Sequence, residues 1–204
     1  AWIATKKVTM RKPGSLLVFS DDWGRHPSSC QHLIGEMLGE CPVVWVNTIG
    51  MRTPKLDWVT VRRAAEKLRG WLGKKADPEQ YVESDLGSAS GARGGTSPTV
   101  ISPKMWPWFT RSLDRRLNRR LLVSQLRPLI AELPGPVVAI TTIPITADLP
   151  GALDVDRWVY YCVDDFSDWP GLDGTTMARM DESMIDAVSE LVAVSEQLQT
   201  HIRN

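Results

Sequence analysis

The sequence predicts a doubly wound α/β domain on a predominantly parallel sheet. Three observations carry this. The candidate strands, such as Leu16-Leu17-Val18-Phe19 and Val43-Val44-Trp45-Val46, are continuous apolar runs, the pattern of strands buried on both faces. Between them lie stretches with apolar residues at helical spacing, so strand and helix alternate as in successive βαβ units. The chain has 204 residues, enough for one large domain with a sizeable core.

In chain order, Met10-Arg11-Lys12-Pro13-Gly14 reads as the start of the domain, with residues 1–13 as an extension and 14–204 as one domain. Leu16–Phe19 is the first strand. The polar segment Ser20–Ser29 follows, and then Cys30, Leu33, Ile34, Met37 and Leu38 mark one apolar helix face. Ser28 or Ser29 can cap that helix, because a side-chain oxygen accepts from the free N–H groups of its first turn. Val43–Asn47 is the second strand, and Trp58–Val61 is a strand candidate. Residues 77–98, which include Gly87, Gly91, Gly94 and Gly95, read as a mobile loop, with Gly87–Gly95 poorly ordered.

Thr99–Ser102 resumes a strand, and Trp106–Phe109 is an aromatic loop. From Thr110, leucines 113, 117, 121, 122 and 126 recur at helical spacing, with arginines 115, 116, 119 and 120 on the other faces. Pro128 is expected to bend or end that helix, because proline removes a backbone donor and clashes with the preceding turn. Val137–Ile140 and Trp158–Val163 are further strands. Thr175–Val188 is a helix, Leu191–Val194 a short strand, and Ser195 caps a final helix from Glu196 to Arg203.

Lys plus Arg is 24 and Asp plus Glu is 24, so net charge gives no chain-wide case for nucleic acid as partner. The balance hides asymmetry. Residues 52–75 carry eight basic residues against two acids and residues 104–128 seven against one, whereas residues 148–190 carry eleven acids against two basic residues. If Arg115, Arg116, Arg119 and Arg120 share a face with Lys74 or Lys75, an anionic membrane surface becomes a candidate partner; the alternative is an ordinary solvated helix face. No apolar run reaches the 18 to 20 residues a membrane-spanning helix needs, and residues 1–13 lack the apolar stretch of a secretory signal. Cys30, Cys41 and Cys162 show no C-x-x-C spacing, which excludes a cysteine-based zinc site and fits a reducing cytoplasm.

In doubly wound sheets, ligands bind beyond the carboxyl ends of the strands. Three loops lie there. Ser20–Ser29 offers Gly24, which permits close backbone approach, and the free N–H groups of the following helix, yet it has neither G-x-G-x-x-G nor a P-loop pattern. Its alternative is a turn whose polar residues only cap a helix. Asp164-Asp165-Phe166-Ser167-Asp168-Trp169-Pro170 combines carboxylates with apolar walls, suited to a general base or to holding a sugar hydroxyl; the alternative is a capped, solvated turn. Thr141-Thr142-Ile143-Pro144 forms a pocket rim without a titratable group. Asp154-Val155-Asp156 precedes its strand and reads as a turn, and neither H-E-x-x-H nor G-x-S-x-G occurs, so no metal or cofactor is expected. Trp23 and Trp169 stand in two of these loops, where aromatic faces stack on sugars.

Taken in order, Val18–Ser29, Val44–Arg52, Tyr160–Asp165 and Val192–Glu196 resemble the N-terminal half of GT-B glycosyltransferases, over about residues 16–204. Ala193–Leu198 looks like the segment that closes the first Rossmann-like domain in that family. The resemblance implies an acceptor-side domain, with a nucleotide-sugar donor held mostly by a second domain outside this sequence and a carbohydrate or lipid-linked acceptor in the cleft. The cysteine usage and the two basic regions, apart from this resemblance, point to a cytoplasmic protein, peripheral at the inner membrane face if those regions dock it near a lipid-linked acceptor. Carried over by position, Trp23, Gly24, Arg25, His26, Ser28, Ser29, Asp168 and Trp169 would line the cleft, and Asp164 or Asp165 would supply the base. Asp21 and Asp22, beside Arg25 and His26, read instead as ion-paired. Two other readings stand beside this one. A non-catalytic sugar- or partner-binding module needs no second domain, and a receiver-like signalling domain would use Asp21-Asp22 but lacks a placed phosphoacceptor Asp and Lys.

Overall fold

The computed structural model describes residues 14–48 and 97–202. Strands β1 (Ser15–Ser20), β2 (Val43–Asn47), β3 (Thr99–Ile101), β4 (Val137–Thr141), β5 (Arg157–Cys162) and β6 (Glu190–Ala193) form one sheet in the order β3-β2-β1-β4-β5-β6, and every described pairing is parallel. Helices α1 (Ser29–Met37), α2 (Ser112–Glu132), α3 (Gly174–Ala187) and α4 (Glu196–His201) follow β1, β3, β5 and β6, and a 3₁₀ turn (Pro144–Thr146) lies between β4 and β5. The fold is a Rossmann-like doubly wound α/β sheet, as the continuous apolar runs require: a parallel strand needs cover on both faces.

Residues of β1 divide between two apolar layers. Leu17 and Phe19 point to the layer that contains Leu122, Leu126 and Ile130 of α2 and Met177, Met180 and Met184 of α3. Leu16 and Val18 point to the other, with Trp45, Cys30 and Ile34. Phe19 and Trp158 stack at 5.6 Å within the first layer, an arrangement that adds to the area they bury.

Several helix details differ from the sequence pattern. In α1 only Cys30 and Ile34 are buried; Leu33 lies on the solvent side. α2 starts at Ser112 and continues through Pro128 to Glu132. Its buried stripe is Asn118, Leu122, Leu126 and Ile130, so core contact resumes beyond the proline and offsets the hydrogen bond lost there. Leu113 and Leu117, expected on the core face, are 70% and 40% exposed. The stripe is displaced because Asn118 is buried, its amide donating to the Trp106 and Trp108 carbonyls (3.0 and 2.9 Å) and its Oδ1 accepting from the Trp106 N–H (2.7 Å). That clamp folds the aromatic loop back on the helix.

Asp156 lies in the connection before β5, where its carboxylate accepts from the Val137 N–H at 2.7 Å, the structural role expected of a turn residue. Residues 1–13, the Trp58–Val61 strand candidate, Lys74 and Lys75, and the Gly87–Gly95 stretch lie outside the described residues.

Candidate functional site

The strand order reverses between β1 and β4, and a ligand crevice is expected at their carboxyl ends. Ser20, buried at the end of β1, shares a 2.8 Å hydrogen bond with the Thr142 hydroxyl just beyond β4 and lies 3.0 Å from Asp21 Oδ1. A serine has one hydroxyl proton and the Asp21 carboxylate can only accept, so Ser20 donates to Asp21 and Thr142 donates to Ser20. The relay ends on Asp21, an exposed side chain. Thr142 N–H donates to the Phe19 carbonyl (3.1 Å), and the Thr48 N–H and hydroxyl both donate to the Ser20 carbonyl. The Thr141–Pro144 segment is therefore buried wall with its hydroxyls turned inward, where a rim was expected.

The loop after β1 is held by half-buried polar side chains of β2 and α1. Asn47, at the end of β2, accepts from the Trp23 N–H (3.1 Å) and donates to Ser102 (3.1 Å). Gln31 accepts from the Gly24 N–H and donates to the His26 carbonyl, so one α1 side chain fixes both ends of the turn. Gly24 has φ +77 with open space where a Cβ would stand, so its backbone conformation calls for glycine. Ser28 is the α1 cap, accepting from the Gln31 N–H. Arg25 pairs with Asp22 at 3.0 Å, an exposed ion pair that contributes little stability. Asp21 is not part of that pair, contrary to the joint ion-paired reading of the two acids. Trp23 packs edge-on against Trp45, and His26 and Ser29 are exposed.

At the end of β5, Asp164 is exposed and its carboxylate accepts the Asp165 N–H at 2.8 Å. Asp165 caps a single 3₁₀ turn (Phe166–Asp168), accepting from both the N–H and the hydroxyl of Ser167 at 3.0 and 2.6 Å. Asp168 and Trp169 are exposed, Trp169 leaning on Phe166 at 5.3 Å. Gly174 opens α3 directly under this turn: a Cβ there would meet the Ser167 carbonyl oxygen at 2.4 Å.

Registers Phe19↔Thr141 and Thr141↔Tyr160 place β4 alone between β1 and β5. At the usual spacing of parallel strands their carboxyl ends are about 10 Å apart. The predicted residues after β1 and after β5 thus share one edge, two strand spacings apart. The sequence reading missed Asn47, Gln31 and Thr142 as organisers; a polar residue closing an apolar run, as Asn47 does, is the signal that was available.

Two thiols near this edge are chemically quiet. Burial pushes Cys30 up to about 12, with the Asp21 charge adding to it. Burial likewise pushes Cys162 up to about 12, reinforced by Asp181. Neither thiol is a nucleophile near neutral pH. The Tyr160 hydroxyl donates to Asp181 of α3, and burial followed by that carboxylate raises its pKa. Among the described residues no group of three or more His, Cys, Asp or Glu converges to hold a metal ion, and no helix is long and apolar enough to cross a membrane. A depression lined by Arg127, Ile130, Leu133, Gly135, Asp154 and Asp156 opens at the amino end of β4, opposite these loops.

Set against protein-family models, curated proteins and solved structures, the chain matches none.

Proposed function

We propose that this chain is the acceptor-side domain of a GT-B-type glycosyltransferase. Its carboxyl edge would form one wall of a cleft that takes a carbohydrate or lipid-linked acceptor, while a second domain holds most of the nucleotide-sugar donor. The observation that carries this reading is the strand-order reversal at β1 and β4, closed by the Thr142–Ser20–Asp21 relay and flanked by the two polar, aromatic-bearing loops. Neutral hydroxyl-rich ligands need such a mixture: carboxylates to accept from sugar hydroxyls, and ring faces to cover the sugar's C–H side. Asp164 and Asp165 are the base candidates of this reading, with Trp23, Gly24, Arg25, His26, Ser28, Ser29, Asp168 and Trp169 lining the cleft.

One observation favours a second reading, a sugar- or partner-binding module without turnover: the Asp165 carboxylate is already engaged by two bonds from Ser167. Amide chemical-shift mapping of the labelled chain tests whether this edge binds carbohydrate. Titration with nucleotide sugars and with oligosaccharides should move resonances of Asp21–His26 and Asp164–Trp169. No shift with any of them, or shifts confined to the amino edge around Asp154 and Asp156, overturns both readings. Shifts combined with sugar transfer in an enzyme carrying the second domain favour the transferase; shifts without transfer favour the module.

A further inference from the structure

The 21 residues of α2 span about 30 Å, and their two sides differ sharply. Asn118, Leu122, Leu126 and Ile130 face the core. At 3.6 residues per turn the opposite side carries Leu113, Arg116, Leu117, Arg120, Ser124 and Arg127, with no acid among them. Arg116, Arg120 and Arg127 are exposed, and none has a carboxylate partner among the described residues. Arg115, by contrast, is committed: it grips Asp148 through two bonds of 2.8 and 2.7 Å. The acid nearest the face, Asp114, lies off it and accepts from the Trp106 indole and the Arg111 N–H.

We propose that this outward face of α2 docks the protein on an anionic bilayer surface. The arginines supply charge complementarity to anionic headgroups. Leu113 and Leu117, one helical turn apart and 70% and 40% exposed, supply an apolar ridge that enters the headgroup–acyl boundary. Arginines alone would suit the phosphates of a nucleic acid equally well; the paired leucines have no role there and decide for lipid. Because the opposite stripe anchors α2 to the sheet, the outward face is presented flat and preorganised. This docking does not rest on the glycosyltransferase reading, since it uses no residue of the carboxyl edge.

Co-sedimentation with vesicles tests it. The chain should bind vesicles of phosphatidylcholine mixed with phosphatidylglycerol and ignore pure phosphatidylcholine, with binding weakened by salt as surface charges are screened. Each cation near such a surface strengthens partitioning by about five-fold, so Arg116→Gln, Arg120→Gln and Arg127→Gln together should weaken it on the order of 10²-fold. Leu113→Ser with Leu117→Ser should also weaken it, through a loss that does not depend on salt. All five positions are exposed, so an unchanged thermal unfolding midpoint for each variant separates lost docking from lost fold. Binding indifferent to phosphatidylglycerol, unaltered binding by the triple arginine variant, or capture of duplex DNA without capture of vesicles overturns the proposal.

Discussion

Thr142 donates its hydroxyl proton to Ser20 at the carboxyl ends of the paired strands β4 and β1, where strand order reverses, and Ser20 passes its own to Asp21. The Ser20 hydroxyl has Asp21 as its acceptor, whereas the buried Thr142 hydroxyl depends on Ser20. Ser20→Ala should therefore destabilise the fold by about 1–3 kcal/mol, because the buried Thr142 hydroxyl loses its acceptor. Ser20→Ala combined with Thr142→Val should recover part of that loss, since removing both partners leaves no unpaired group. Urea unfolding of the two variants checks this; a double variant as unstable as the sum of the separate changes would show that the pair is not coupled.

Thiol accessibility gives a second test. Cys30 and Cys162 are buried and pushed up to about 12, whereas Cys41 is half-exposed and raised only by partial burial and the Glu40 charge. A thiol-specific reagent at pH 8 should modify Cys41 alone in the folded chain and all three cysteines in denaturant. Fast modification of Cys30 or Cys162 under native conditions would contradict the burial that raises them.

The same groups set the alkaline limit of stability. Cys30, Cys162 and Tyr160 all have folded-state pKa values raised above their ordinary ones, mainly by burial, so the folded state holds protons that the unfolded chain releases first. The contribution of the two thiols is complete below about pH 8.5 and is lost as pH rises through about 12, and that of Tyr160 is complete below about pH 10. Each thiol should add up to about 1.4 kcal/mol of destabilisation per pH unit within that window. Cys162→Ala should flatten the slope of unfolding free energy between pH 9 and 11, at a cost in stability near neutrality; an unchanged slope counts against the assignment.

How much of this was legible before the fold was known depends on what kind of interaction places each residue. Continuous apolar runs such as Leu16–Phe19 identify parallel strands because burial on both faces leaves no polar alternation. The α2 register was not legible from leucines alone. Asn118 takes a core position because three hydrogen bonds to a loop ten to twelve residues earlier satisfy it, and no periodicity of apolar residues anticipates that. The loops after β1 and β5 could be singled out from their place in the βα alternation. Their cross-links could not: Asn47 to Ser102 and Ser20 to Thr142 join residues 55 and 122 positions apart.

Gly174 links stability to the candidate site. Gly174→Ala would place a methyl group 2.4 Å from the Ser167 carbonyl oxygen, a backbone atom that cannot yield without moving the 3₁₀ turn. Local disruption costing on the order of 1–3 kcal/mol is expected. If carbohydrate binds at the acidic turn, affinity falls with it, while Gly24→Ala should strain the β1 loop through its positive φ and leave the Ser167 turn untouched. Chemical-shift mapping of both variants distinguishes the two loops.

Asp164 and Asp165 separate on geometry, and that separation makes the catalytic proposal testable residue by residue. Asp165 is spent on Ser167, so Asp165→Ala removes a turn cap and should cost about 1 kcal/mol of stability whatever the chemistry. Asp164 is exposed and its carboxylate accepts the neighbouring Asp165 N–H, which leaves lone pairs directed at solvent beyond β5. In an enzyme carrying the second domain, Asp164→Asn should lower kcat by on the order of 10² to 10⁴ with an unchanged unfolding midpoint, the scale of losing general-base help. Asp165→Asn keeps an oxygen able to accept from Ser167 and should lose less turnover. Full activity in the Asp164→Asn enzyme, with a large loss in Asp165→Asn, would reverse the assignment; full activity in both would remove these carboxylates from the chemistry and leave Asp21, Asp22 and Asp168 as the acid groups at this edge.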